Sequence, residues 1–204
     1  MVAEKITQCR KPHDEEGFET IENMNMNHKE ISEFAFGIVN VGKNDRILDI
    51  GCGGGVNIEK FLKLTDSNVD GLDYSEVSVE ASIKQNRKAV DDGRCRIIQA
   101  DVQDMPIGDE EYNLVSAFET IYFWPEIGES FKEVSRVIRP GGQFMIAQGT
   151  DGNHPDDEMW LATVEGMHVY TAADLEKYLL DAGFSRVESH VKENDYIMVV
   201  IAHK

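Results

Sequence analysis

The nine residues ILDIGCGGG at 47–55 decide the fold. Three apolar side chains and one aspartate read as a short strand buried on both faces, and the glycines after it read as a tight turn into a helix. Glycine lets a backbone turn sharply and lets a ligand press on the main chain with no Cβ in between. Taken alone, the cluster also fits a strand-to-helix turn that holds nothing. Its context narrows the choice. A dinucleotide fingerprint built on Gly51 and Gly53 needs Gly or Ala at position 56, where Val56 stands. A phosphate-cradling loop needs a lysine after the glycines, and none follows. Asp49, just ahead of the turn, repels a pyrophosphate and welcomes a cation.

Outward from that turn, short apolar runs alternate with helical patterns. Upstream, Ile31, Phe34, Ala35, Ile38 and Val39 share one helical face, with Gly42 as the stop. Downstream comes a helix carrying Ile58, Phe61 and Leu62, then a second strand at 69–74. Ser75 caps a long helix running to Gly93, and a third strand follows at 96–100. A fourth strand at 113–118 leads to a helix with Ile127, Phe131, Val134 and Ile138 on one face, stopped by Pro140, Gly141 and Gly142. A fifth strand at 143–148 is followed by a polar connection over 149–169 with a short helix around Trp160. Thr171 caps a helix bearing Leu175, Leu179 and Ala182, ended by Gly183. Two last strands, 186–191 and 196–202, flank the turn residues Glu193, Asn194 and Asp195, which favours an antiparallel hairpin. The pattern predicts an α/β Rossmann-like three-layer sandwich: one domain over 1–204, with a seven-stranded, mostly parallel sheet and a C-terminal antiparallel hairpin. The first two dozen residues are weakly patterned and predict a mobile segment.

Composition bounds the partners. The 204 residues carry 38 acidic and 20 basic side chains, a net charge of −18, and the C-terminal half is the more acidic. Residues 1–100 hold 18 acidic and 13 basic groups, residues 101–204 hold 20 and 7. Such a chain repels phosphate backbones and anionic lipid, so neither nucleic acid nor membrane is an expected partner. No apolar run is long enough to span a bilayer, and the N-terminal stretch has no secretory pattern. Three cysteines, Cys9, Cys52 and Cys95, lack both a disulfide framework and metal-ligand spacing, which predicts a cytoplasmic setting and no metal.

Acidic residues then close three successive predicted strands. Asp73 ends the second, where a carboxylate accepts both hydroxyls of a ribose. Asp101 ends the third, within reach of an adenine amino group. With Asp49 at the first, the ligand implied has an adenine, a ribose and a cationic tail, which S-adenosylmethionine combines.

At this point the chain resembles the class I S-adenosylmethionine-dependent methyltransferases of small-molecule type, from about residue 25 to the end. ILDIGCGGG resembles the family's first motif, Asp73 its acidic second-strand residue, the QADV stretch at 99–102 its adenine-contacting motif, and the RPGG stretch at 139–142 its turn before the fifth strand. The resemblance implies that Asp49, Gly51, Cys52 and Gly53 surround the methionine end, Asp73 the ribose, Asp101 and the Val102 backbone the adenine, with Tyr74 and Phe118 beside them. Cys52 is expected as a small packed residue rather than a nucleophile, and an ordinary core aromatic is the other reading of Tyr74. Phe118, Glu119, Thr120, Ile121 and Tyr122 stand where base-modifying members carry an Asn/Asp-Pro-Pro-aromatic stretch, which argues against base methylation. On the acceptor side, Glu119 and Tyr122 are expected to face the methyl group and His28 to be the base, a solvated histidine being the alternative for the last. Trp124 is read either as a pocket wall or as a helix-start Trp-Pro, and His154 as part of a solvated acidic loop. Residues 18–40 are read as a lid that brings Met24, Met26 and His28 over the substrate, against a plain tail before a structural helix. The remaining alternatives are a nicotinamide-dependent oxidoreductase and a cofactor-binding regulatory protein without chemistry. The oligomeric state is left open.

Overall fold

The computed structural model describes residues 8–204; the part of the N-terminal reading that falls on 1–7 lies outside the described residues. Helices α1 (Asp14–Asn27) and α2 (Lys29–Ile38) precede β1 (Ile47–Ile50), α3 (Val56–Leu64) and β2 (Val69–Asp73). Then come α4 (Glu76–Gln85), α5 (Arg87–Asp91), β3 (Ile97–Gln99) and β4 (Tyr112–Phe118). A 3-10 turn (Ile121–Phe123) leads to α6 (Ile127–Val137), β5 (Ile138–Gln148), α7 (Asp157–Thr163), α8 (Ala172–Asp181), β6 (Arg186–Val191) and β7 (Met198–His203).

The seven strands lie in the order β3-β2-β1-β4-β5-β7-β6, all pairs parallel except β5–β7 and β6–β7. Side chains alternate across the sheet, and two cores result. Leu48, Ile50, Phe144 and Val200 bury against Phe131 of α6 and Leu175 and Leu179 of α8. Ile47, Val69, Met145 and Val199 bury on the other face against Ile31 and Ala35 of α2 and Ile58 and Phe61 of α3. Each fully buried aliphatic or aromatic side chain contributes about 1.5–3 kcal/mol. The rigid sheet this makes fixes where its loops stand.

Several boundaries differ from the sequence reading. The weakly patterned N-terminal stretch is helical: α1 docks with Gly17 and Ile21 buried. Gly17 lies so close to Pro12 and Val77 that a Cβ would meet both at 3.1 Å. Few positions of α1 are buried, so its apolar stripe is too thin to read from periodicity. The helix capped by Ser75 breaks at Asn86, whose amide donates to the carbonyls of Gly55 and Ser82. Ile138 leaves the helical face and opens β5, pairing with Tyr112. Helix α2 ends at Ile38, ahead of Gly42, and the last strand begins at Met198 instead of 196.

Candidate active site

Strand order reverses between β1 and β4, so the loops beyond their carboxyl ends part and leave a crevice. The glycine turn lines it. Gly51 has φ +69°, and a Cβ there would sit 2.2 Å from Thr120 Oγ1, so only glycine fits between β1 and the loop after β4. Gly53 also has φ +50°, but a Cβ there would project into open space, into the crevice itself.

Carboxylates ring the turn. Asp49 is buried and accepts from Ser116 Oγ at 2.7 Å; burial, with Asp73 nearby, lifts its pKa to about 7. Asp73 accepts from Gly53 N–H at 3.0 Å through Oδ2 and from Ser75 N–H at 2.9 Å through Oδ1. Burial raises its pKa too, against those hydrogen bonds. Asp101 is exposed and accepts from Gln103 N–H. Cys52 is buried, its thiol pushed up by burial and donating to Ser82 Oγ, which suits packing and not nucleophilic attack.

Three connected cavities occupy the crevice. A cavity of 110 Å³ runs along the glycine turn and is walled by Asp49, Gly51, Gly53, Asp73 and Phe118. A slot of 50 Å³ beside it is walled by Ile50, Leu72, Asp73, Tyr74, Asp101 and Val102. Phe118 is stacked on Phe36, which holds it against the first cavity. Tyr74 lines both and donates its hydroxyl proton to the carbonyl of Arg10. At the far end of the first cavity the sequence reading missed a polar group. Lys60 Nζ donates to Ser32 Oγ at 2.6 Å, and Ser32 Oγ donates to Asn57 Oδ1 at 2.6 Å. Lys29 lines the same wall, and burial lowers the Lys60 pKa, so the ammonium favours an anion there. Asn57 and Lys60 stand three apart in the first turns of α3, directly after the glycines; that spacing is the signal that could have found them.

The third cavity, of 230 Å³, opens off the first between α1, the 3-10 turn and α7. Glu119, Met24, His28 and Phe123 border both. Glu119 sits at φ +55°, a left-handed backbone that a non-glycine residue adopts at a cost, and such strain collects at functional sites. Its Oε1 accepts from Gly149 N–H and from Tyr122 Oη at 3.0 Å, while Oε2 faces His28 Nε2 at 4.0 Å, beyond hydrogen-bond range. Burial lifts the Glu119 carboxyl to about 7 and holds His28 down at about 4. At neutral pH, His28 is therefore uncharged and Glu119 exchanges its proton readily.

Sequence reading and structure agree on much of this and differ in three places. His28, Glu119 and Tyr122 converge, as do the residues expected around the donor. Trp124 does not wall the acceptor cavity: it is buried, stacked on Phe144, with its edge on the small slot, while Phe123 and Trp160 form the wall. His154 leaves the solvated loop and lines the acceptor cavity, packed edge-on against Tyr196. Met26 points outward, 67% exposed, because the 3.6-residue helical repeat turns it away from Met24. Trp160, Val164 and Met167 carried no motif and were missed. Among the described residues, no group of three or more His, Cys, Asp or Glu side chains gathers to hold a metal ion.

Fold and crevice together suit a class: an α/β domain whose switch-point crevice offers room for an adenosine-like ligand, with a carboxylate at Asp49 and an ammonium at Lys60. S-adenosylmethionine fits this donor set: carboxylates near a sulfonium, an open glycine cradle, and lysines toward a carboxylate. Comparison with known proteins gives the same answer. A family described as "Methyltransferase domain" matches residues 48–146. The chain is 29% identical over 153 residues to 27-O-demethylrifamycin SV methyltransferase of Amycolatopsis mediterranei, covering 72% of this chain and 56% of that one. It is 31% identical over 114 residues to cycloartenol-C-24-methyltransferase of Arabidopsis thaliana, covering 55% and 34%. The chain thus spans about half the length, or less, of these relatives. A crystal structure of a SAM-dependent methyltransferase from Aquifex aeolicus superposes with TM-score 0.75 at 18% identity, covering 91% of this chain and 97% of that one, a likeness of fold. Residues 48–146 thus match a methyltransferase domain, and the chain is similar to S-adenosylmethionine-dependent methyltransferases in sequence and in fold.

Proposed function

We propose that the protein transfers the methyl group of S-adenosylmethionine to a small-molecule acceptor. The observation that carries this reading is the position of Glu119, whose carboxylate stands where the donor cavity meets the acceptor cavity. When bound, the cofactor supplies a methyl carbon already activated on a sulfonium. The protein's part is then alignment, exclusion of water and management of one proton. Asp73 accepts the ribose hydroxyls on its remaining lone pairs, and Asp101 and the Val102 backbone receive the adenine in the slot with Tyr74. Asp49, Gly51, Cys52, Gly53 and Phe118 surround the sulfonium and the methionine chain. Lys60, through Ser32 and Asn57, takes the carboxylate. Glu119 takes the acceptor's proton, with Tyr122 and His28 fixing its carboxylate and its surroundings.

Residues 8–40 act as the cover. Ser75 Oγ donates to the Pro12 carbonyl, and Arg10 Nη1 donates to the Glu165 carbonyl, so the segment straps the crevice from β2 to the loop after α7. A Cβ on Gly54 would meet Ile21 and Asn25 at 2.7 Å, so α1 sits directly on the glycine turn. Such a cover has to open for ligand exchange. No helix among the described residues is long and apolar enough to cross a membrane, and the buried thiols of Cys52 and Cys95 favour a reducing, cytoplasmic setting. Incubating the protein and a metabolite extract with isotopically labelled S-adenosylmethionine tests the activity: a labelled product is expected, and binding without transfer to any pool would leave a regulatory protein.

A further inference from the structure

The acceptor cavity carries chemistry of its own. Its apolar wall is Met24, Phe123, Trp160, Val164 and Met167, and its polar groups are Glu119, Tyr122, Thr150, His28, His154 and Asp157. Among the described residues, no lysine or arginine lines it. Its two carboxylates are held alike and differ in where they stand. Asp157 Oδ2 is engaged by Thr150 Oγ1 at 2.8 Å and by His154 N–H at 3.0 Å. Glu119 Oε1 is likewise engaged, and Glu119 Oε2, like Asp157 Oδ1, accepts no hydrogen bond within the described residues; of the two side chains only Glu119 also borders the donor cavity. Glu119 Oε2, on a side chain only 15% exposed and bordering both cavities, is free to accept a hydrogen bond from a ligand in either.

We propose that the acceptor is an uncharged hydroxylated compound of one or two rings, of phenol or enol type, held with its O–H on Glu119 Oε2. This rests on the methyl-transfer reading and deepens it. Size sets the ring count. An apolar cavity of about 150 Å³ holds one benzene, so 230 Å³ takes one substituted ring or two fused ones. A four-ring sterol would leave most of its skeleton outside. Charge sets the functional group. An acidic acceptor would bring a further anion against Glu119 and Asp157 with no lysine or arginine among the described lining residues to offset it. An amine would enter as ammonium, with a pKa of about 10, and would have to give up its nucleophilic lone pair's proton before attack. A hydroxyl enters neutral and sheds its proton only as charge develops.

The step balances. An oxygen lone pair of the acceptor forms the new O–C bond, the C–S pair stays on sulfur, and the hydroxyl proton passes to Glu119 Oε2. A sulfonium and a carboxylate thereby become a thioether and a carboxylic acid, and no net charge remains in a cavity of low polarity. Relaxing that charge pair favours the forward direction where water is excluded.

Titration of the full chain, saturated with S-adenosylhomocysteine, tests this with four probes: hydroquinone, benzoate, benzylamine and cyclodextrin-delivered cholesterol. Hydroquinone should bind at least about tenfold more tightly than benzoate or cholesterol, and benzylamine, which enters as an ammonium, should not be methylated. With S-adenosylmethionine, hydroquinone should yield the methyl ether by mass spectrometry. Glu119→Gln should keep S-adenosylhomocysteine binding, weaken hydroquinone, whose O–H loses its acceptor, and lose transfer by about a hundredfold or more. Tighter binding of benzoate or cholesterol overturns the proposal, as does methylation of benzylamine in preference to hydroquinone, failure of hydroquinone to bind or undiminished transfer by the variant. In each of those cases, binding of S-adenosylhomocysteine itself leaves the methyl-transfer reading standing; loss of that binding would sink the broader reading instead.

Discussion

The donor side and the acceptor side of the crevice are built on different principles. The donor side comes from contiguous chain: Asp49 to Gly53 in one turn, Asp73 and Tyr74 at the next strand end, Asp101 and Val102 at the third. It relies on backbone geometry and strand-end carboxylates, which repeat at a spacing the fold dictates. The acceptor side draws Met24 from α1, His28 from the joint between α1 and α2, Glu119 and Tyr122 after β4, Gly149 and His154 after β5, and Trp160 from α7. Its parts meet only through tertiary packing. The donor side is therefore a property of the class, and the acceptor side is where this chain is particular.

The comparison can be broken by variants that hit one side and spare the other. The largest effect is expected from Glu119→Gln, on the acceptor side. Methyl transfer should fall by about 10²–10⁴, while calorimetric affinity for S-adenosylhomocysteine stays within a small factor. Equal loss of both would mean that Glu119 serves the donor. Next comes Asp73→Ala. Loss of a charged acceptor for the ribose costs about 1.5–3 kcal/mol, or roughly ten- to a hundredfold in affinity. Circular dichroism should show the fold intact, and unchanged affinity would remove Asp73 from the site.

Lys60→Met should do less, because Lys60 is partly exposed and its ion pair is screened. About fivefold weaker binding of S-adenosylhomocysteine is expected, roughly 1 kcal/mol. Binding of 5′-methylthioadenosine, which has no carboxylate, should not change. An equal loss for both ligands would show that Lys60 only supports the fold. The smallest effect is on stability. Asp49 and Glu119 are both lifted to about 7 in the folded chain. A raised carboxyl contributes stability that is full below its unfolded value near 4 and is lost as pH rises through 7. The ligand-free protein should therefore melt higher at pH 5.5 than at pH 8. Asp49→Asn should flatten that difference by a few degrees, and an unchanged slope would place the cause elsewhere, such as the net charge of −18.

What the sequence made legible follows the same division. The mostly parallel sheet with its closing hairpin, and the strand ends that line the crevice, were readable because buried strands, glycine turns and strand-end carboxylates are local patterns. Helix α1 was not, since it buries only Gly17 and Ile21 and so shows no apolar stripe. Glu119 and Tyr122 were found by their place after β4, but the positive φ of Glu119 leaves no trace in its residue type. His154 was misread as solvated because the loop around it is rich in Asp and Gly. Only the contact with Tyr196, 42 residues on, and the turn of α7 bring it inward. Lys60 went unread because an amphipathic helix presents lysines everywhere, and only its bond to Ser32 singles it out.

The central claim is that the crevice takes S-adenosylmethionine and not a nicotinamide dinucleotide. Calorimetric titration of the intact chain with S-adenosylhomocysteine and, separately, with NADH tests it most directly. The expected result is saturable one-to-one binding of S-adenosylhomocysteine, with a stabilisation of about 2.7 kcal/mol at a hundredfold excess over its dissociation constant, and no binding of NADH. Tight binding of NADH with none of S-adenosylhomocysteine would contradict the account.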